Sequence, residues 1–190
     1  SATLQLLRVG SGFMRVDTER CDNLDDVMER MKSGDARYRY SVAWTDSLAR
    51  GKSLGRSVLL RGDHATRDEV ESAELGTPLA FREAFSVPVP PAVPGGLLRK
   101  STMTAFNEVF FRKAPKASRG ELQSLTSYFH PLDRVRNFNR IYGPRGLVQY
   151  QFVLPDGEER ALRQAFELLS GAGCPSFLTV LKRFGPGESL

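Results

Sequence analysis

A strand, an amphipathic helix and a second strand follow one another twice in this chain, and the repeat restricts the possible folds more than any other feature. The first copy covers residues 4–46, where Asn23 can cap a helix with apolar side chains at helical spacing. The second covers residues 147–184. Two such split βαβ-like units predict an α+β fold, with a mostly antiparallel sheet, helices on one face and the other face open.

The segment GLVQYQFVLP, residues 146–155, has the alternation of a β-strand. The alternation sends Tyr150 to the core side and both Gln149 and Gln151 to the opposite side. Glutamines on a strand suit a solvated face, because Gln is mostly exposed in folded proteins. They also suit a pocket wall, where a few amides orient a ligand among apolar contacts.

The last segment, SFLTVLKRF, predicts a strand over residues 176–184. Phe177 would lie under the helices, while the helix-free face would receive Lys182 and three large apolar side chains, Leu178, Val180 and Phe184. Exposed apolar patches usually mark a partner or ligand site. The pattern therefore favours a covered or binding face over a purely solvated one.

Two further residues have more than one interpretation. His130, in the loop sequence YFHPLD, could transfer protons, contact a phosphate or pack the loop. Trp44 lies on a strand with Tyr38, Tyr40 and Val42 at the same parity, so a core position is the default interpretation. His64 is most simply a surface turn residue.

Charge is unevenly distributed along the 190 residues, whose formal net charge is +5. Residues 17–35 are rich in acids, and residues 99–145 are rich in Arg and Lys. This asymmetry suits an anionic partner or a solvated surface.

Cys21 and Cys174 lie far apart without CxxC spacing, which argues against a structural zinc site or a disulfide framework. No nucleophile triad, zinc-protease or phosphate-loop motif is present.

The sequence begins with Ser1 and ends shortly after the last predicted strand. Both ends predict a domain cut from a longer chain.

Several quoted stretches resemble one family. These are YFHPLDRVRNFNRIYGPRGLVQYQFVLP and CPSFLTVLKRFGPG, with MRVDTERCDNLDDVMERM and YRYSVAWTDSLARGKSLGRSVLLRGDHA upstream. They resemble the substrate-binding (cap) domain of the decaprenylphosphoryl-ribose oxidase family, FAD-linked oxidoreductases of the vanillyl-alcohol oxidase superfamily. The resemblance implies that residues 1–190 form the substrate-binding domain of a longer flavoprotein, whose FAD-binding domain is absent here. FAD would be bound in the parent protein and not by this chain alone.

The resemblance also implies a substrate site on the helix-free face, with neither a catalytic residue nor a metal ligand assigned. Phe129 and Phe138 stand where the family has a tyrosine and a tryptophan, so the hydroxyl and indole contacts are not implied. By position in the matching motifs, the substrate-binding residues are Gln149, Gln151, Lys182, Phe184, Leu178, Val180, His130, Leu132 and Trp44.

The implied activity is oxidation of a hydroxyl of a sugar or polyprenyl-phosphate-linked pentose by hydride transfer to flavin. The implied partners are the protein's own FAD-binding domain, the lipid-linked sugar and a separate reductase, with no nucleic acid expected. The implied location is cytoplasmic, with membrane association through a lipid-linked substrate. From the residues alone two alternatives stay open, a nucleic-acid-binding module and a protein-interaction domain that uses the open face.

Overall fold

The structure is a computed structural model and describes residues 3–6, 8–81, 85–90, 99–142, 146–176 and 178–185. Short 3-10 turns at Asp35–Arg37, Gly51–Ser53, Pro131–Arg134 and Phe138–Tyr142 connect some of the elements. The strands are β1 (Phe13–Cys21), β2 (Tyr40–Thr45), β3 (Ser57–His64), β4 (Val87–Pro88), β5 (Ala117–Ser124), β6 (Val135–Arg136) and β7 (Val180–Leu181). The helices are α1 (Leu24–Gly34), α2 (Arg67–Ser72), α3 (Lys100–Lys113), α4 (Leu125–Phe129) and α5 (Glu159–Ala172).

The main sheet has five strands in the order β5-β1-β3-β2-β7. Strand β3 pairs antiparallel with both β1 and β2, so β1 and β2 run parallel with β3 between them. Helix α1 connects β1 to β2, which makes the first unit a split βαβ unit. At the edges of the sheet, β5 pairs antiparallel with β1 and β7 pairs antiparallel with β2, and β4 forms a separate parallel pair with β6. The predicted α+β class with a mostly antiparallel sheet is confirmed.

Helices α1 and α5 pack on the same face of this sheet, here called the first face, as the repeat predicted. This face carries Cys21, Ala43, Leu59 and Leu181 from the strands. One apolar cluster joins these side chains to both helices. Its buried helical members are Leu24, Val27 and Met31 of α1 and Phe166 of α5.

Local sequence determines both ends of α1. The Asn23 side chain accepts a hydrogen bond from the amide of Asp26 at 3.0 Å, which caps the first turn. At the last residue, Gly34, an added Cβ would lie 2.1 Å from a guanidinium nitrogen of Arg61. A larger residue at this position would therefore have to displace the end of the Arg61 side chain.

The opposite face, here called the second face, carries Met14, Val16, Leu60 and Trp44. Tyr128 of α4 packs on the first three of these side chains. The Phe110 ring of α3 lies 4.5 Å from the Trp44 ring, centroid to centroid. Helices α3 and α4 thus contact parts of the face that the sequence predicted to be open.

The second predicted unit is formed only in part. Residues 146–155 contain no strand, and Tyr150, predicted to be buried, is 83% exposed. The strand predicted over residues 176–184 is reduced to Val180–Leu181, and Phe177 lies outside the described residues. An alternating sequence forms a strand only if it can pair with the edge of a sheet. The edge nearest to this unit is β7, which has only two residues.

Both cysteines are free thiols, Cys21 buried and Cys174 exposed. Among the described residues, no group of three His, Cys, Asp or Glu side chains could hold a metal ion. None of the described helices is long and apolar enough to cross a membrane.

Candidate functional site

Trp44 and Val180 occupy adjacent positions on the second face. Trp44 of β2 lies opposite Val180 of β7, and the amide of Thr45 donates to the carbonyl of Thr179 at 2.9 Å in the same register. Trp44 is 8% exposed, whereas Val180 is 45% exposed. These two predicted site residues form the best-defined part of the candidate site.

Lys182 and Phe184 follow Val180 at alternate positions of the backbone. Both side chains are exposed, and neither residue is part of the ladder. An antiparallel register continued beyond Leu181 would place Lys182 opposite Val42 and Phe184 opposite Tyr40. Successive side chains alternate between faces, so both would join Trp44 on the second face.

Leu178 precedes this segment, and its side chain is also largely exposed. In the extended register, Leu178, Val180 and Phe184 would form an apolar edge beside Trp44. An edge of this kind offers contact area to a ligand or to a second protein surface.

A hydrogen-bond network around Asp46 holds helix α3 against this end of the sheet. The Asn107 amide donates to Asp46 at 2.7 Å, and Arg56 donates to the other carboxylate oxygen at 3.0 and 2.8 Å. Arg56 also pairs with Glu108 at 2.6 Å. Because Asp46 and Asn107 are buried, the network fixes the position at which Phe110 meets Trp44.

Replacing Asn107 by alanine is expected to lower the free energy of unfolding by about 1.5 to 3 kcal/mol, because a buried hydrogen bond to a charged group is lost. The emission of Trp44, the single tryptophan, should shift to longer wavelength as Phe110 moves away. Denaturant unfolding and fluorescence spectra measure both effects. Thr104→Ala, at an exposed position on the same helix, is the matched control. A wild-type spectrum and stability in Asn107→Ala would contradict this account of the contact.

His130 and Leu132 lie in the loop after α4. His130 is exposed and Leu132 half-buried. The preceding Phe129 ring packs edge-on against Tyr40 of β2, with centroids 5.0 Å apart. The loop therefore starts beside Tyr40, whereas α3 contacts the same strand at Trp44.

Gln149 and Gln151 lie apart from this arrangement, in the exposed segment 146–155 that contains no strand. The structure does not bring them to the second face. The segment nevertheless leads to the end of β7, because Asp156 accepts a hydrogen bond from Arg183 at 3.0 Å.

Two residues near the site were not identified from the sequence as site candidates. Tyr40 lies at the same strand parity as Trp44, and this parity was the available signal. The ring of His64 is edge-on to the Tyr40 ring at 5.7 Å, so His64 is a half-buried residue of β3 and not a surface turn residue. Burial, together with the charge of Arg39, lowers the pKa of His64 and favours its neutral form at neutral pH.

Part of the basic segment is neutralised within the fold. Arg119 pairs with both Asp17 and Glu19 of the acidic segment. The buried pair formed by Glu19 and Arg61 adjoins this contact. The charge asymmetry of the sequence is thus partly an internal ion-pair network, which weakens its value as evidence for an anionic partner.

A cavity of about 130 Å³ lies beside the start of β1, and none of the nine predicted site residues lines it. Its walls are mainly apolar, with Val9, Leu79, Phe81 and Leu125 among them. The cavity therefore carries no argument about the candidate site.

The chain matches none of the protein-family models with which it was compared. It is 33% identical over 188 residues to decaprenylphosphoryl-beta-D-ribose oxidase of Mycolicibacterium smegmatis, an alignment that covers 98% of this chain and 41% of the oxidase. It is also 32% identical over 197 aligned residues to an uncharacterised protein of Streptomyces coelicolor, which covers 99% of this chain and 52% of that protein.

The chain thus spans between two fifths and about half of the length of these relatives. The resemblance inferred from the quoted motifs is confirmed. Over nearly its whole length, this chain is similar to one part of decaprenylphosphoryl-beta-D-ribose oxidase, an arrangement consistent with the cap domain of an FAD-linked oxidase.

Proposed function

We propose that this chain is the substrate-binding domain of a longer FAD-linked oxidoreductase. The substrate would be a sugar or a polyprenyl-phosphate-linked pentose, oxidised at a hydroxyl group by hydride transfer to flavin. The similarity to an oxidase over 98% of the chain carries this proposal. The apolar edge of the second face beside Lys182 supports it, because substrate sites combine apolar walls with a few polar groups.

The residues of this chain fit a wall that faces a flavin, and not a domain that binds one. The sequence has no glycine-rich phosphate-binding motif after a strand. Phe110 and Val180, both exposed beside the buried Trp44, offer an apolar surface of the kind that packs against a planar ring. When bound, the flavin supplies the acceptor for the hydride that leaves the substrate carbon. The FAD-binding domain of the parent would hold it, and this chain alone should retain none.

Lys182 would bind the reacting part of the substrate. Its ammonium group can donate to the substrate hydroxyl oxygen and orient it for reaction. Leu178, Val180 and Phe184 would exclude water around it and pack against the pentose or the start of the lipid. These roles assign binding and orientation to the chain's own side chains.

Gln149 and Gln151 would hydrogen-bond the remaining sugar hydroxyls. This assignment follows from their position in the stretches that resemble the family. His130 and Leu132 would contribute from the other end of the site, beside Tyr40 and Phe129. The exposed His130 would contact the phosphate of a lipid-linked substrate.

A lipid-linked substrate would bring the parent enzyme to a membrane surface from the cytoplasm. A separate reductase acting on the oxidised sugar would complete an epimerisation. The lipid named in the similar oxidase supports the first proposal, and the second is what the family resemblance implies.

Steady-state oxidation by the complete protein tests this function, with a polyprenylphosphoryl pentose compared with the free pentose. Gln151→Ala should lower kcat/KM for the lipid-linked substrate by about 2-fold to 13-fold, because a neutral hydrogen bond of about 0.5 to 1.5 kcal/mol is lost. Gln164→Ala, which changes an exposed glutamine on α5, is the matched control.

Equal kinetics for Gln151→Ala and Gln164→Ala would show that Gln151 does not contact the substrate. Absence of oxidation with either substrate would contradict the proposed function itself. In that case a protein partner for the apolar second face becomes the leading alternative.

A further inference from the structure

Asp35, directly after α1, is a half-buried acid whose two carboxylate oxygens are themselves buried. Neither of its carboxylate oxygens has a hydrogen-bond partner among the described residues, and the nearby Ser41 hydroxyl also lacks one. Burial raises the pKa of Asp35, and Ser41, Arg61 and Arg183 oppose this shift. A buried carboxylate of this kind is stabilised by a cation that can reach it.

Two arginines lie within electrostatic reach of Asp35, and they differ in the burial of their present ion pairs. Arg61 pairs with the buried Glu19 and donates to the carbonyl of Arg30 at 3.4 Å. Arg183 instead pairs with Asp156, whose side chain is 80% exposed. Exposed ion pairs contribute little to stability, so Arg183 is the arginine that can change partner at small cost.

The register between β2 and β7 points Arg183 toward Asp35. Ala43 lies opposite Leu181, so a ladder continued by two residues places Arg183 opposite Ser41. Ser41 is also opposite Arg61 on the other side of β2. Arg183 would then stand on the first face, where α1 ends and the carboxylate of Asp35 is buried.

We propose that Arg183 pairs with Asp35, and that this ion pair extends β7 along β2 as far as Phe184. Alternation then fixes Lys182 and Phe184 on the second face beside Trp44. Arg183 is thus a positioning residue for Lys182. The pairing itself is independent of the proposed function, whereas its effect on catalysis rests on that function.

Thermal unfolding of the 190-residue chain distinguishes a paired from an unpaired Asp35. If the pair forms, Asp35→Asn and Arg183→Gln should each lower the Tm by about 2 to 6 °C, and the double variant should lower it no further than the larger single effect. Asp156→Asn should leave the Tm unchanged. An increased Tm in Asp35→Asn, with no change in Arg183→Gln, would overturn the proposal, because removing an unpaired buried charge stabilises a protein.

Amide hydrogen exchange tests the extended strand. Thr45 and Thr179 form a hydrogen-bonded pair, and such pairs alternate, so the amide of Arg183 should donate to the carbonyl of Ser41. Its exchange should be slow in the wild type and in Asp156→Asn, and at least about 10-fold faster in Asp35→Asn. Arg183→Lys, which keeps the positive charge, should retain part of the wild-type protection of this amide. Fast exchange of this amide in the wild type would overturn the proposal.

Steady-state kinetics of the complete flavoprotein distinguish a positioning role of Arg183 from an effect on stability alone. Arg183→Gln should lower kcat/KM several-fold at a temperature at which it is fully folded, whereas Asp156→Asn should not. Wild-type kinetics in Arg183→Gln would refute the positioning role. If the wild-type protein shows no oxidation at all, the proposed function fails, and the unfolding and exchange results still decide the pairing.

Discussion

Replacing Lys182 by alanine in the complete protein is expected to lower kcat/KM by about 10-fold to 150-fold. The variant loses a hydrogen bond from a charged donor, which is worth about 1.5 to 3 kcal/mol. Because Lys182 is exposed on the isolated chain, its replacement removes no buried contact there. The Tm should therefore stay close to the wild-type value while catalysis falls.

Steady-state kinetics and thermal unfolding of the same preparations measure both quantities. Lys182→Arg should retain part of the activity, because it keeps the charge and changes the geometry. Lys52→Ala, at an exposed position in a turn, is the control for loss of a surface charge. Wild-type kinetics in Lys182→Ala would mean that the second face is covered by protein without binding substrate.

Replacing Glu19 by alanine is expected to lower the free energy of unfolding by about 3 to 5 kcal/mol, because breaking a buried ion pair leaves its partner unpaired. Glu19 bonds to Arg61, which is also buried, and to Arg119. Arg30 lies 3.6 Å from the same carboxylate. The substitution therefore leaves a buried guanidinium group without its carboxylate at the contact between the sheet and α1.

Acid unfolding provides a second measurement on Glu19. Burial pushes its pKa upward, but the hydrogen bond from Arg119 and the charges of Arg61, Arg119 and Arg30 outweigh burial and hold the pKa below its ordinary value. The stabilisation is thus fully present above the ordinary pKa, 4.5, and is lost as the pH falls through the lower folded-state pKa. Glu19→Ala should lose less stability over this acid range than the wild type.

Glu121→Ala removes an exposed acid on the neighbouring strand β5 and is the control for both measurements. It should unfold like the wild type in denaturant and in acid. If Glu19→Ala does the same, the ion-pair network does not hold the sheet and α1 together.

The first unit was predictable because its signals are local. The Asn23 cap and the stripe of Leu24, Val27 and Met31 specify α1 without reference to the rest of the chain. The alternation of Trp44 and its neighbours likewise predicted the strand that became β2. The β1-α1-β2 order then follows from chain connectivity.

The second unit was less predictable, because alternation specifies the faces of a strand and not its partner. Residues 146–155 have the same alternating pattern but form no strand, and Gln149 and Gln151 lie away from the sheet. Pairing depends on an available edge, which sequence periodicity does not reveal.

The contacts of α3 depend on distant parts of the chain. Asn107 is buried because it reaches Asp46, which is 61 residues earlier in sequence. No periodicity within α3 signals such a polar contact. The covering of Trp44 by Phe110 could therefore not be predicted from either segment alone.

The visible absorption spectrum of the complete protein tests the central claim most directly. We expect a flavin spectrum in the purified complete protein and none in the 190-residue chain. Without oxygen, adding a polyprenylphosphoryl pentose should bleach the flavin absorbance, because hydride transfer reduces the flavin. A complete protein without flavin absorbance, or a flavin that this substrate leaves oxidised, would contradict the assignment of this chain as the substrate-binding domain of such an oxidoreductase.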